Sequence, residues 1–277
     1  MSLDEFIEKT PATLDKNDSL INYVRLLKKT GNDKVVILEN KRINEKYVKN
    51  IAGVVSSRDV VGKIATERLR LSSPGRLRVS GFMSIQPLIA RLDTPLSDIV
   101  KTMASKSIGI LPIVGNEGLE GAIYRWSLLK LAESITDPVS KIVKKDYLKI
   151  RVDDSLLMLR QGMLNRDESF AVVVGEDGKP IGYITIMDLA YAFTTFIENI
   201  PEKHRKERIE ELVVRDYYKR NLPVVSEEAE IYKAARILYG EKTRGVLVLN
   251  NEGKVSGVVR EHDLIGYLAL TILGITR

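Results

Sequence analysis

The sequence predicts an α/β (α+β) protein built from four βαββα repeats. In each repeat an amphipathic helix precedes an apolar strand, which begins 14 or 15 residues after the first apolar residue of the helix. A glycine then follows where a second strand meets a second helix. The first helices begin at Leu20, Leu96, Leu156 and Ile231, and the corner glycines are Gly53, Gly121, Gly182 and Gly257. Because a repeat of about 60 residues cannot cover both faces of its own sheet, we expect the repeats to pair.

The repeats divide the chain into four units, and we expect units one and two to form one pair and units three and four a second. Linkers of different composition separate the units. One linker holds four arginines between residues 66 and 79, and another contains a mixed-charge helix at residues 202–211 that we expect to be solvated. The predicted units span residues 1–68, 79–135, 139–200 and 212–277.

Local patterns agree with this order of elements. The apolar residues of each first helix fall on one stripe, and a capping side chain precedes each helix. The following strands, such as residues 35–38 and 246–249, are apolar throughout, which indicates burial on both faces. Repeat one alone has seven additional residues before its glycine, and its polar segment 39–50 predicts an extended hairpin loop. The predicted caps are Asp18, Thr94, Asp154 and Ser226.

Composition narrows the class of protein. Hydrophobic residues make up 44% of the chain and charged residues 29%, which is typical of a globular protein. No apolar run is long enough to span a membrane and the N-terminal segment lacks a signal-peptide layout, so we expect a cytoplasmic protein. Without cysteine, and with two histidines far apart in sequence, neither a disulfide nor a metal site is expected. The net charge of +6 favours anionic partners.

The corner of repeat three has the clearest functional pattern, Gly182-Tyr-Ile-Thr185-Ile-Met-Asp188-Leu189. A strand ends on the hydroxyl of Thr185, and Asp188 lies in the first turn of the next helix. The N–H groups and the positive dipole end at such a corner suit a phosphate, while a carboxylate can accept from two adjacent hydroxyls. Helix capping, which needs no ligand, is the alternative role for both residues.

Two other corners are variants of this pattern. Repeat one retains both functional groups, as Ser56 and Asp59. Repeat four retains the acid, Asp263, but has Arg260 in place of the hydroxyl. We therefore expect ligand-binding groups at both corners, and Arg260 could either bind a phosphate or occupy its place.

The corner of repeat two lacks both groups, since Tyr124 and Ser127 stand where the hydroxyl and the acid are found elsewhere. We expect no standard ligand there. The ring of Tyr124 or of Trp126 could fill the cleft instead.

Four βαββα units with a Gly-φ-φ-[Ser/Thr]-x-x-Asp corner resemble the CBS domain. Tandem chains of four such units resemble the γ subunit of AMP-activated protein kinase and stand-alone archaeal CBS proteins. The resemblance implies two Bateman modules, each a sheet-to-sheet pair of units, with adenosine ligands in the clefts between paired units. The corner Asp would hold the ribose hydroxyls, and the corner Ser or Thr would contact ribose or phosphate.

The resemblance also implies cations for the phosphates. We expect Arg58 and His262, each directly before a corner aspartate, to contribute. Arg244 and Lys34 precede apolar strands at a position where this family often places a basic residue. Repeat three has Ser169 at that position, so a cation for its site would come from another repeat.

The function implied is that of a non-catalytic regulatory protein, with no prosthetic group. It would bind adenine nucleotides, with AMP as the first candidate and ADP or ATP as others. The signal would be a change of conformation or assembly, recognised by a second copy of the chain or by an unknown partner. S-adenosylmethionine is an alternative ligand. A nucleic-acid-binding or scaffold role is a minority alternative, because no nucleic-acid-binding signature accompanies the basic linker. An enzyme is disfavoured because catalytic motifs are lacking. The linker arginines are Arg68, Arg70, Arg76 and Arg78.

Overall fold

The chain folds into the predicted α/β repeats, which gather into two compact bodies. Body A contains repeats one and three, and body B contains repeats two and four. The compact bodies therefore group alternate repeats, and the pairing of sequence neighbours stays a prediction. Body A comprises Ala12–Pro87 and Leu148–Asn221, and body B comprises Met1–Pro11, Leu88–Tyr147 and Leu222–Arg277. The computed structural model describes residues 2–43, 46–66, 72, 74–116, 118–271 and 274.

The first strand of the chain, β1 (Ile7–Glu8), belongs to body B, and repeat one follows in body A. The sheet of repeat one has the order β2-β3-β4-β5, with β2 parallel to β3 and the other pairs antiparallel. Strands β3 and β4 stay paired from Glu39 and Asn50 out to Ile43 and Lys46, so the polar insert lengthens both strands instead of forming the predicted loop. The elements are β2 (Thr13–Asp15), α1 (Leu20–Thr30), β3 (Lys34–Ile43), β4 (Lys46–Ser56), α2 (Ser57–Ile64) and β5 (Ser84–Ile85).

Repeat two, in body B, has the order β1-β8-β7-β6 in its sheet, so the N-terminal strand lies at its edge. Its last element is a 3-10 helix rather than an α-helix. Tyr124 at the cap position makes no side-chain capping hydrogen bond, so the hydroxyl that starts an α-helix in repeats one and three is missing. The elements are β6 (Ala90–Arg91), α3 (Leu96–Ser105), β7 (Ile110–Gly115), β8 (Gly118–Tyr124) and the 3-10 helix Arg125–Ser134.

Repeats three and four each form a three-stranded sheet, one in each body. In both, the first two strands are parallel and the hairpin is antiparallel. Repeat three consists of β9 (Lys149–Arg151), α4 (Leu156–Asn165), β10 (Phe170–Val174), β11 (Pro180–Thr185) and α5 (Ile186–Asn199), and α6 (Glu202–Arg208) follows it. Repeat four consists of β12 (Val224–Ser226), α7 (Ile231–Gly240), β13 (Gly245–Leu249), β14 (Val255–Arg260) and α8 (Glu261–Thr271).

The first helices start near the predicted caps but not on them. The side chains of Ser19 and Ser155 accept backbone N–H groups at the starts of α1 and α4, one residue after the predicted caps. Helix α3 starts after Pro95, and α7 starts after Glu230, four residues beyond Ser226.

The hydrophobic core of body A is shared by its two repeats. Leu20 and Tyr23 of α1 belong to the same buried cluster as Leu156 of α4 and Phe193 of α5. Complete burial of a large apolar side chain contributes roughly 1.5–3 kcal/mol. Since each repeat supplies helices that the other covers, the core explains why repeats one and three form one compact body.

The four corners share one construction. Each β-hairpin shifts its register directly beside the corner glycine, as at Val173, which pairs with Gly182. A backbone segment from elsewhere then passes close to that glycine, and a Cβ added to Gly182 would lie 2.2 Å from the carbonyl oxygen of Lys219. The same atom on Gly257 would lie 2.3 Å from the oxygen of Lys144. Close backbone approach therefore requires glycine at these corners.

A 3-10 turn lies ahead of each repeat, and the residues after this turn approach the corner glycine. We call the 3-10 turn together with these following residues the leading turn. The turn ahead of repeat four completes the corner of repeat three, where Lys219 and Tyr183 exchange backbone hydrogen bonds of 2.8 and 2.9 Å. The turn ahead of repeat three completes the corner of repeat four in the same way, through Lys144 and Val258. In the same way, the turn ahead of repeat one completes the corner of repeat two, and the turn ahead of repeat two completes the corner of repeat one. The 3-10 turns at the start of the leading turns are Leu3–Glu5, Val79–Gly81, Val139–Lys141 and Val214–Asp216.

Candidate functional site

The corner of repeat three holds Asp188 at the start of α5. The Thr185 hydroxyl donates to Asp188 Oδ2 at 2.6 Å, and the Thr185 backbone N–H donates to the same oxygen at 2.8 Å. The Asp188 N–H in turn donates to Thr185 Oγ1 at 3.4 Å, which completes a capping box. The helix-capping role is thus real, but it occupies only one carboxylate oxygen. The second oxygen, Oδ1, accepts from Lys219 Nζ at 2.9 Å.

A cavity of about 420 Å³ lies beside Asp188, entirely within body A. Helix α1 of repeat one provides an apolar wall with Val24 and Leu27. The leading turn ahead of repeat four provides Tyr217 and Lys219. The cavity therefore combines apolar side chains from one repeat with the corner carboxylate of another.

Two tyrosines give this cavity aromatic faces. Lys28 Nζ lies 3.7 Å from the centre of the Tyr191 ring, and its hydrogen bond to the phenol oxygen is the main cause that lowers the pKa of Tyr191. Burial, with the nearby Asp216 carboxylate, raises the pKa of Tyr217, which stays neutral at physiological pH. Flat apolar faces, two lysines and a carboxylate oxygen match a ligand with an aromatic base, a diol and an anionic group.

The corner of repeat one contains the same capping box. Ser56 Oγ donates to Asp59 Oδ2 at 2.6 Å, and the Ser56 N–H donates to it at 2.8 Å. Lys34, predicted to face a phosphate, instead forms an ion pair with Asp33 at 2.8 Å, with both side chains largely buried.

Arg58 makes contacts that the sequence did not predict. Its guanidinium donates to the backbone oxygens of Met163 at 3.3 Å and Glu168 at 2.7 Å, and to the Ser169 hydroxyl at 3.0 Å. It also lies 3.1 Å from Asp167 Oδ1. The cation that reaches Ser169 comes from another repeat and binds protein atoms of repeat three, so a cation for a phosphate at this corner stays a prediction.

The corner of repeat four differs because Arg260 occupies its acid. The Arg260 Nε donates to Asp263 Oδ2 at 2.7 Å, and Nη2 donates to Oδ1 at 3.2 Å. His262 Nε2 lies 3.5 Å from Asp263 Oδ1. Arg244, the other predicted cation, is buried and pairs with Glu261 at 3.1 Å. The guanidinium of Arg260 thus takes both carboxylate oxygens that a diol would need.

At the corner of repeat two, aromatic rings are buried where the other corners have polar groups. The rings of Tyr124 and Trp126 stack at 5.3 Å, and Trp126 also contacts Tyr239 of repeat four at 5.6 Å. Ser127 Oγ donates to the backbone oxygens of Phe6 and Tyr124. The rings of Tyr124 and Trp126 therefore pack within body B, and the expectation that no standard ligand binds at this corner stays a prediction.

Comparison with known proteins places the chain in a family. A sequence profile of the CBS domain matches residues 79–134, 139–194 and 214–270, which are repeats two, three and four. The chain belongs to the CBS-domain family. Repeat one lies outside the matched residues but has the same order of elements and the same capping box as repeat three, from which it differs by its longer hairpin.

Archaeal proteins resemble this CBS-domain chain in sequence and in fold. An uncharacterized protein of Methanocaldococcus jannaschii, MJ1404, is 23% identical over 273 residues, which are 96% of this chain and 61% of that protein. The crystal structure of MJ1225 from the same organism, a proposed archaeal homologue of g-AMPK, covers 97% of this chain and 100% of its own, with a TM-score of 0.78 and 15% identity. A conserved protein of Pyrococcus horikoshii covers the same shares, with a TM-score of 0.60 and 12% identity.

Several residues at the CBS corners were missed from the sequence. Lys28, Tyr191, Tyr217 and Lys219 line the cavity of body A, but none belongs to the corner motif. A signal for the leading turns was present in the sequence, because an apolar residue opens each 3-10 turn and an apolar or aromatic residue follows it, as Val214 and Tyr217 do. A fourfold search of the linkers for this pattern would have found Lys219.

The remaining expectations concern partners and metals. Arg68 and Arg70 lie outside the described residues, Arg76 is exposed, and Arg78 donates to the backbone oxygen of Asn17 at 2.9 Å. Among the residues described, no three His, Asp or Glu side chains are grouped closely enough to hold a metal ion. No helix in the described part of the chain has the length and apolar character of a membrane span.

Proposed function

We propose that this CBS-domain protein is a non-catalytic regulator that binds an adenine nucleotide in the cavity of body A, with AMP as the first candidate. One observation carries the proposal: Asp188 caps α5 with Oδ2 and directs Oδ1 toward a cavity with aromatic and cationic walls. Thr185 fixes the carboxylate through the capping box. Ser56 and Asp59 form the same box in repeat one, and we propose them as a second binding corner.

Lys219 forms an ion pair with Asp188 that a ligand would replace. Its side chain is 46% exposed, whereas that of Asp188 is 17% exposed. An ion pair with so exposed a lysine contributes at most about 1 kcal/mol, so a ligand can separate it at little cost. The ribose hydroxyls would then donate to Asp188, and Lys219 and Lys28 would turn to the phosphate.

The regulatory signal would arise from the two repeats that form the cavity. The apolar wall belongs to α1 of repeat one, and the carboxylate belongs to α5 of repeat three. A ligand that contacts both helices stabilises the arrangement in which they are close, and a partner that recognises this arrangement responds to the ligand.

Titration calorimetry with Asp188→Asn tests this function. Asparagine keeps an oxygen that can cap α5 but loses the charge and one acceptor, so AMP should bind about tenfold to a hundredfold more weakly. Asp263→Asn is the matched control, because Asp263 holds the same corner position but is bound by Arg260, and it should leave AMP affinity unchanged.

The outcomes separate the two roles of Asp188. Unchanged affinity in Asp188→Asn would leave only the capping role. Absence of heat and of thermal stabilisation with AMP, ADP, ATP and S-adenosylmethionine would overturn nucleotide binding altogether, since a ligand at a hundredfold excess over its Kd stabilises the fold by about 2.7 kcal/mol. The stoichiometry reports whether the corner of Asp59 binds as well.

A further inference from the structure

Body B contains a cavity at the position that corresponds to the cavity of body A. It encloses about 510 Å³ and includes Asp263, as the other includes Asp188. Lys144 approaches Gly257 as Lys219 approaches Gly182, so these two lysines are equivalent. Counting back three residues in each leading turn makes Lys141 the equivalent of Asp216, and both line their cavities.

The two cavities differ in charge. In body A, two lysines face two carboxylates, those of Asp188 and Asp216. In body B, the carboxylate of Asp263 is the only one among the described lining residues, and four cationic side chains accompany it. These side chains are Lys101, Arg125, Lys141 and Lys144. A cavity with one sign of charge concentrates ligands of the opposite sign.

The single carboxylate is not available to a diol. Arg260 donates to both oxygens of Asp263, and the exposed fractions of the two side chains are only 14% and 6%. A buried bidentate pair of this kind is costly to break, because separation leaves a desolvated carboxylate without its partner. The feature that recognises ribose in the proposed site of body A is therefore absent from body B.

Lys141 is held at the edge of this cavity by its neighbours. Its ammonium donates to Asp137, which also accepts from the hydroxyl of Tyr267. These contacts, that of Lys141 foremost, lower the pKa of Asp137, and burial together with Asp137 raises the pKa of Tyr267 to about 12. Both groups therefore keep one protonation state at neutral pH, and Lys141 and Tyr267 both line the cavity.

We propose that the cavity of body B binds a compact polyanion with two or more phosphoryl groups, and that it does so without recognising a ribose. The proposal goes beyond the nucleotide site of body A and uses different residues. Cations spread over α3, the leading turn and the start of the 3-10 helix can contact several phosphoryl groups at once, which a single phosphate cannot satisfy.

Calorimetry with inorganic tripolyphosphate tests the proposal, in buffer that contains a chelator and no divalent cation. We expect tripolyphosphate to bind more tightly than pyrophosphate and pyrophosphate more tightly than orthophosphate, with affinity that falls steeply as salt rises. Lys144→Gln and Lys101→Gln should each weaken tripolyphosphate binding about tenfold or more. Both lysines are exposed, so the variants should fold, and unchanged melting temperatures will check this.

Lys219→Gln is the matched control, since it changes the equivalent lysine of body A and should leave tripolyphosphate affinity unchanged. ATP and AMP are then titrated in the Asp59→Asn/Asp188→Asn background, which weakens both proposed binding corners of body A. Tight binding of both tripolyphosphate and ATP would indicate that the phosphoryl groups suffice, whereas tight binding of ATP without tripolyphosphate would show that the nucleoside is recognised and would overturn the proposal. AMP as tight as ATP, equal losses in Lys144→Gln and Lys219→Gln, or no binding of any polyphosphate would overturn the proposal.

Discussion

Arg58 joins the two repeats of body A, and its removal gives the sharpest test of how that body is held together. The guanidinium makes two short hydrogen bonds, to the Glu168 oxygen at 2.7 Å and the Ser169 hydroxyl at 3.0 Å, and a longer one to Met163. A hydrogen bond to a charged group is worth about 1.5–3 kcal/mol when buried. The Arg58 side chain is 30% exposed, so these values are upper limits, and the ion pair with the exposed Asp167 adds little.

We therefore expect Arg58→Met to lower the free energy of unfolding of body A by about 2–4 kcal/mol, because carbonyl oxygens lose their donors and the apolar stem remains. Urea unfolding followed by circular dichroism measures the change, and an unchanged m-value would show that the same surface unfolds. Arg58→Lys keeps the charge but cannot reach three acceptors, so it should recover only part of the loss. Arg76→Met, at an exposed arginine, is the control for a lost surface charge.

The alternative role for Arg58, binding a phosphate, predicts the opposite pattern. A change of less than about 0.5 kcal/mol in Arg58→Met, which is ordinary for a surface substitution, would refute the structural role. If such a variant also bound AMP more weakly, Arg58 would be a ligand residue. Arg160 makes the corresponding contact in the other direction, because it donates from repeat three to the carbonyl oxygens of Val61 and Gly62 in repeat one at 2.7 Å each. The same structural role therefore predicts a loss of stability in Arg160→Met.

Two further predictions concern single side chains. Arg260→Thr should restore a capping hydroxyl and release Asp263, so adenosine should bind body B measurably by calorimetry, and its failure to do so would argue against Arg260 as the block. Glu39 has its pKa lowered to about 2, first by Lys16 and then by Lys41, so its stabilising effect is complete above about pH 4.5 and is lost as pH falls toward 2. The urea midpoint should therefore fall more between pH 5 and pH 3 in the wild type than in Glu39→Gln, and equal pH dependence would contradict this assignment.

The parts of the fold that sequence predicts well are those fixed by local chemistry. The apolar strands and the corner glycines recur because every repeat buries the same strand and brings a backbone oxygen close to the same glycine. The capping boxes of Ser56 and Thr185 were readable for the same reason, since a hydroxyl and an acid three residues apart satisfy the first turn of a helix.

Contacts with backbone carbonyl groups could not be predicted, because every residue offers one and no side chain marks the acceptor. Arg58 and Arg160 both bind such groups. Arg205 is a third case: the mixed-charge helix was expected to be solvated, but this side chain is 3% exposed and donates to the oxygens of Ile197, Ile200 and Ser72. Charge patterns along a helix describe its average environment and miss one arginine that turns inward.

The differences among the four corners extend to the residues around them. Where Asp188 Oδ1 accepts from the exposed Lys219, the leading turn also supplies the acid Asp216. Where Arg260 neutralises the acid, the same turn position carries Lys141, and the cavity has become cationic. If this corner had only lost its ligand, the ion pair between Arg260 and Asp263 would already balance the charge of the carboxylate. Additional cations such as Lys141 would then not be needed. The added cations therefore argue for a different anion at this corner rather than for an abandoned site.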